Sequence, residues 1–96
     1  MGIYNGMEFI TTQMSKINIG LEKGLDVSVY AKPEYNGRKM HQILIGLDKG
    51  LDVSMYANPN FSTNQMQEIR LGLEAGLDVS IYAKTKFTDY QMYLIR

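Results

Sequence analysis

Apolar and polar positions along this chain recur in one order every 26 residues. The segment Gly20-Leu-Glu-Lys-Gly-Leu-Asp-Val-Ser-Val-Tyr-Ala31 returns as Gly46 to Ala57 and again as Gly72 to Ala83. Inside each copy the apolar residues keep helical spacing. In the third copy Met66, Ile69, Leu73 and Leu77 stand at i, i+3, i+7 and i+11, one stripe of a helix, which predicts the buried side. The start of that helix is also legible. Ser62 precedes Gln65 by three, the spacing of a capping box, and Phe61 and Met66 flank it as a hydrophobic staple. Thr88, Gln91, Phe87 and Met92 repeat the device, whereas Asn36, Lys39, Tyr35 and Met40 keep the staple without the reciprocal Gln. Gly24, Gly50 and Gly76, each followed by Leu, suit left-handed helix ends.

A second, shorter element follows, Asp26-Val-Ser-Val-Tyr-Ala31 and its counterparts, stopped by Pro33, Pro59 or Thr85. Asp is a good helix N-cap and Pro a good stop, so a helix of one or two turns is predicted. Its alternation at period two also fits a strand. The predicted fold is therefore all-α, a short solenoid-like array of 26-residue helix-turn-helix units; the alternative is an α/β solenoid with one helix and one strand per unit. Full units span 10–35, 36–61 and 62–87, between partial units at 1–9 and 88–96, in one domain. Gly20, Gly46 and Gly72 sit mid-helix, where glycine costs about 1 kcal/mol against alanine, so a close approach of another element is expected there.

Where copies agree, packing is the expected reason; where they differ, a partner surface is. In the first helix of each unit the copies differ at Ser15, His41, Gln67 and Tyr93, then at Asn18, Leu44, Arg70 and Arg96. Ile19, Ile45 and Leu71 run through the same arc as an apolar ladder, either packed on neighbouring helices or exposed as a partner stripe.

Composition narrows the classes of function. No cysteine is present, which removes disulfides and thiolate metal sites and fits a cytoplasmic protein. Ten Lys and Arg balance ten Asp and Glu, so the excess of positive charge that drives binding to phosphate backbones is missing. A nucleic-acid binder using Lys16, Lys23, Lys32, Arg38, Lys39 and Lys49 is accordingly the lesser reading. No apolar run approaches a membrane span of about 20 residues, and residues 1–9 lack the pattern of an export signal. Asp26, Asp52 and Asp78 read as caps rather than metal ligands, and Glu22, Asp48 and Glu74 as a solvated face. His41 is the only histidine, with no base or ligand partner in the pattern. Tyr30, Tyr56 and Tyr82 read as core aromatics whose hydroxyls reach the surface rather than as a base-stacking ladder. No catalytic, cofactor or metal site is expected, so the chain is read as no enzyme.

The unit Gln-Met-x-x-Ile-x-x-Gly-Leu-Glu-x-Gly-Leu-Asp-Val-Ser-x-Tyr-Ala-x-Pro-x-Phe resembles short repeats of mostly uncharacterised proteins from Gram-positive bacteria and their phages, plasmids and conjugative elements. Gly72 to Ala83 carries the resemblance most fully; Thr85 replaces its Pro, and residues 1–8 lack its core. The resemblance implies a repeat fold and carries no catalytic residues. Together with the varied face it sets the expectation of a protein-binding module, in one form a mobile-element inhibitor of a host defence protein such as a CRISPR nuclease (an anti-CRISPR). Self-association through Tyr90, Tyr93, Leu94 and Ile95 of the last partial unit, giving a homo-oligomer, is a further expectation.

Overall fold

The computed structural model describes residues 2–96. Among them are four α-helices, α1 (Thr11–Glu22), α2 (Gly37–Asp48), α3 (Thr63–Glu74) and α4 (Asp89–Ile95). Each of the first three is followed by a single 3₁₀ turn, at Val27–Val29, Val53–Met55 and Val79–Ile81. Consecutive helices pack side by side, α1 on α2, α2 on α3 and α3 on α4. The second element of the unit is thus helical, a single 3₁₀ turn at the short end of the one or two turns expected, and not a strand.

The helix boundaries follow from their end chemistry. Ser62 and Thr88 accept hydrogen bonds from the backbone N–H of Gln65 and Gln91, whose side chains accept in return from the N–H of Ser62 and Thr88. Asn36 caps α2 through Lys39 N–H at 2.8 Å, without a reciprocal bond. At the other end Gly24, Gly50 and Gly76 adopt φ of 71°, 71° and 75°, a region open to glycine because it has no Cβ. Leu25 N–H then reaches Gly20 O and Gly24 N–H reaches Leu21 O, the paired bonds of a Schellman end, and Gly50 with Leu51 and Gly76 with Leu77 repeat them. Asp26, Asp52 and Asp78 accept from the backbone and side chain of Ser28, Ser54 and Ser80, which accounts for these carboxylates as caps.

Why a glycine stands at residues 20, 46 and 72 is visible in the packing. A Cβ at Gly46 would lie 2.1 Å from the Tyr56 hydroxyl and 2.6 Å from Val53 Cγ1; Gly20 and Gly72 face Tyr30 with Val27, and Tyr82 with Val79, in the same way. The 3₁₀ turn folds back on its own helix, and the tyrosine fills the notch. The sequence predicts a hydroxyl reaching the surface; instead it donates to a helix carbonyl, Tyr30 to Lys16 O at 2.7 Å and Tyr56 to Gln42 O at 2.6 Å. Burial raises the Tyr30 pKa to about 12, with Tyr4 adding to it, and raises that of Tyr56 in the same direction. Tyr82 is also buried, but its hydroxyl has no partner among the described residues.

The core holds identical rows, among them Ile17, Ile43 and Ile69, all fully buried, beside Met40, Met66 and Met92. The predicted stripe of the third copy holds for Met66 and Ile69, with Leu73 half-buried. Leu77 departs from it at 42 % exposed, because it follows the turn at Gly76 and lies beyond the helix face.

Residues 2–9 depart from the all-helical expectation. Gly2–Tyr4 (β1) and Met7–Phe9 (β2) pair antiparallel with Ile3 opposite Glu8. Asn5 and Gly6 between them both have positive φ, 52° and 76°, the requirement of a type I′ hairpin turn. The hairpin packs on α1 and buries Phe9, which occupies the staple position that Tyr35 and Phe61 hold in later units.

Candidate functional site

Each helix carries a varied arc along its first two turns. Three rows of equivalent positions lie there: Thr12, Arg38, Asn64 and Tyr90, and Ser15, His41, Gln67 and Tyr93, all exposed; and Lys16, Gln42, Glu68 and Leu94, of which Gln42 is buried, Lys16 and Glu68 are half-buried and Leu94 is exposed. No residue type occurs twice in any of these rows. By contrast Ile17, Ile43 and Ile69, Gly20, Gly46 and Gly72, and Tyr30, Tyr56 and Tyr82 are identical and buried. Burial goes with identity in these rows; identity also occurs in water where a cap or a helix end fixes the residue, as at Gly24, Asp26 and Ser28 and their counterparts.

Among the sequence-predicted face residues, Ser15, Asn18, His41, Gln67 and Tyr93 are exposed, and Ile19, Ile45, Arg70 and Leu71 are half-buried. Leu44 is buried at 4 % and leaves the face. Its row runs along the seam between neighbouring helices, so each side chain settles its own fate. Asn18 turns to water, Leu44 seals the core, and Arg70 lies half-buried with Nε 2.9 Å from Gln42 Oε1. The ladder of Ile19, Ile45 and Leu71 is neither fully packed nor a free stripe.

Tertiary structure adds a groove that the pattern alone did not reveal. It encloses about 610 Å³ across the N-terminal halves of α1, α2 and α3, and Thr12, Lys16, Asn36, Arg38, His41 and Gln42 are among its lining residues. Thr12 approaches the α2 backbone here, where a Cβ at Gly37 would lie 3.2 Å from Thr12 Cβ, so α1 and α2 draw together at the groove floor. The cations lining it, Lys16 and Arg38, make no ion pair among the described residues. Four other cations are engaged, Lys23 with Asp48, Lys49 and Arg70 with Glu74, and Arg96 with Glu68, whereas Lys32, Lys39, Lys84 and Lys86 make no ion pair among the described residues. Asp48 and Glu74, expected as a solvated acidic row, are thus consumed by Lys23 and Lys49 of the preceding unit. The Lys49 bond chiefly holds the Glu74 carboxyl below its usual range. His41 sits in the groove wall with its pKa lowered by partial desolvation first, then by the fields of Lys16 and Arg70.

Contacts carry this face onward to α4. Gln42 on α2 meets Arg70 on α3. Glu68 on α3 meets Arg96, whose guanidinium lies 5.3 Å from the Tyr93 ring centre. On α4 the same positions turn apolar. Tyr90, Tyr93 and Leu94 are 66 %, 55 % and 62 % exposed, and the Tyr90 and Tyr93 rings are 6.5 Å apart.

One structural role was missed in the sequence. Gln13 and Gln65 cap their own helices and also reach forward, Gln13 Nε2 to Tyr35 O at 2.8 Å and Gln65 Nε2 to Phe87 O at 2.6 Å, tying each helix start to the next. Lys39 takes the same place with Nζ on Pro59 O at 2.9 Å. The recurrence of a long polar residue at 13, 39 and 65 was the available signal.

Among the described residues no group of three or more His, Asp or Glu is placed to hold a metal ion, and no helix is long and apolar enough to cross a membrane. Comparison with family models, curated proteins and solved structures gives no match.

Proposed function

We propose that this chain is a non-enzymatic protein-binding module of the cytoplasm, a short solenoid-like array of 26-residue helical units that offers the varied face of its helices to a protein partner. The observation that carries the reading is the division of labour between rows: the rows of Ile17, Gly20 and Tyr30, identical in the three full copies, lie in the core, and the varied rows of Thr12 and Ser15 lie together in water. A repeat scaffold holding its fold with fixed residues is free to vary the rest for recognition. The groove among Lys16, Arg38 and His41 supplies the concavity that such recognition uses.

A photo-crosslinking residue placed at His41, with a second protein carrying it at Ser54 as control, tests the reading. Defence nucleases of the host are among the purified partners to assay. Covalent capture from the His41 position alone, competed by unlabelled protein, is the expected result. Equal capture from both positions, or none from His41, contradicts it.

A further inference from the structure

The varied face differs in kind between its two ends. On α1 and α2 it is a groove carrying the cations Lys16 and Arg38, neither of them in an ion pair among the described residues, flanked by His41. On α4, Tyr90, Tyr93 and Leu94 stand at the positions held by polar residues on the other three helices. Single exposed apolar residues need no explanation. Three neighbours that turn apolar together at positions kept polar elsewhere do. Between the two ends the face is neutral, because Glu68 is paired with Arg96 and Arg70 with Glu74.

Resting on the protein-binding reading above, we infer that the occupant of this face is one extended protein segment with acidic side chains at one end and an apolar or aromatic anchor at the other. The acidic end lies in the groove against Lys16 and Arg38, where polar neighbours such as Asn36 and Gln42 suit peptide amides. The apolar end covers Tyr93 and Leu94. Packed helices stand about 8–10 Å apart, so two to three helix spacings separate the ends by roughly 20–30 Å. At about 3.3 Å per residue an extended chain crosses that distance in about six to nine residues.

A single-stranded nucleic acid fits less well. It carries a negative charge at every nucleotide, whereas the cations here stop at one end and the chain as a whole is neutral. A second copy of this chain would satisfy the apolar end but leave Lys16 and Arg38 uncompensated, since these cations have no acidic row to meet on an equivalent face.

Selection of a random library of displayed 12-residue peptides on the 96-residue protein tests the inference. The enriched peptides should place Asp or Glu some six to nine residues from Phe, Trp or Leu. A synthetic member should bind at least tenfold more weakly to Lys16→Glu with Arg38→Glu, and separately to Tyr93→Ala with Leu94→Ala, while both variants keep the circular dichroism of the parent. Enriched peptides that lose binding with Arg38→Glu but lack the acidic-to-apolar polarity overturn the inference and leave the protein-binding reading standing. No enrichment over an unrelated helical protein overturns both. Tighter binding of a 12-nucleotide single strand than of any selected peptide also overturns it. So does a dimer, seen by light scattering, that dissolves in Tyr93→Ala with Leu94→Ala.

Discussion

Two sides of the same helices obey opposite rules. On the notch side Ile17, Ile43 and Ile69 are all fully buried, and Gly20, Gly46 and Gly72 each receive a tyrosine from their own unit. On the groove side Ser15, His41, Gln67 and Tyr93 share nothing but exposure. The contrast shows where this small fold places its constraints. A row buried against neighbours admits one shape, and a row in water admits many. The end of the chain sharpens the point: Ile95 continues the row of Ile17, Ile43 and Ile69, yet it is 47 % exposed. Residue identity alone does not bury a side chain; a neighbouring helix does.

The largest break in this contrast is expected at the notch. Gly46→Leu drives a side chain into Tyr56 and Val53 and should cost at least about 3 kcal/mol, beyond ordinary overpacking, because the 3₁₀ turn must lift away. A domain of this size holds in the range of about 5–14 kcal/mol, so chemical denaturation should register a midpoint collapse. An unchanged midpoint would mean the notch is not a packing site.

Next in size, Ile43→Ala should cost about 3–4 kcal/mol by cavity formation, whereas Ile95→Ala in the same row should cost less than about 1 kcal/mol. Equal losses would show that neighbour contact does not set the burial energy. Smaller again is the forward clamp. Gln65→Ala removes a helix cap and the bond to Phe87 O and should cost about 1–2 kcal/mol. Gln91→Ala, whose side chain accepts from Thr88 N–H in the same capping role, should cost about half that in the same denaturation assay.

Alkaline pH probes the notch without mutation. The folded state holds Tyr30 protonated up to about 12, above the ordinary value of 10.0. The unfolded chain releases that proton first, so stability is full below pH 10 and is lost as pH rises towards 12. Tyr30→Phe with Tyr56→Phe should shrink this alkaline loss, measured as midpoint against pH. An unaltered alkaline slope would place the effect elsewhere.

Much of the scaffold was legible because its signals are local. Ser62 with Gln65, Gly50 before Leu51, and Asp52 before Ser54 each act within a few residues, and the structure uses them as the spacing predicts. Gly46 was legible as a packing site because a mid-helix glycine is costly without one. Asn5-Gly6 carried an equally local hairpin signal, but the 26-residue frame assigned those residues to a degenerate unit and concealed it. The rest depended on contacts across units. The burial of Leu44, the reach of Gln13 to Tyr35 and the inward turn of the Tyr56 hydroxyl involve partners 12 or more residues away, or a packing seam. The groove is a property of three helices together, so Lys16 and Arg38 could be named from the sequence only as two of several basic residues.

The most direct test of the division between scaffold and face is the denaturation midpoint of one variant in which Ser15, Arg38, His41, Gln67 and Tyr93 are all alanine. All five are exposed, and alanine favours a helix. The account predicts a stability within about 1 kcal/mol of the parent, well inside the loss from Ile43→Ala alone. A loss as large as that from Ile43→Ala would mean the varied side holds the fold as well, and the division would not stand.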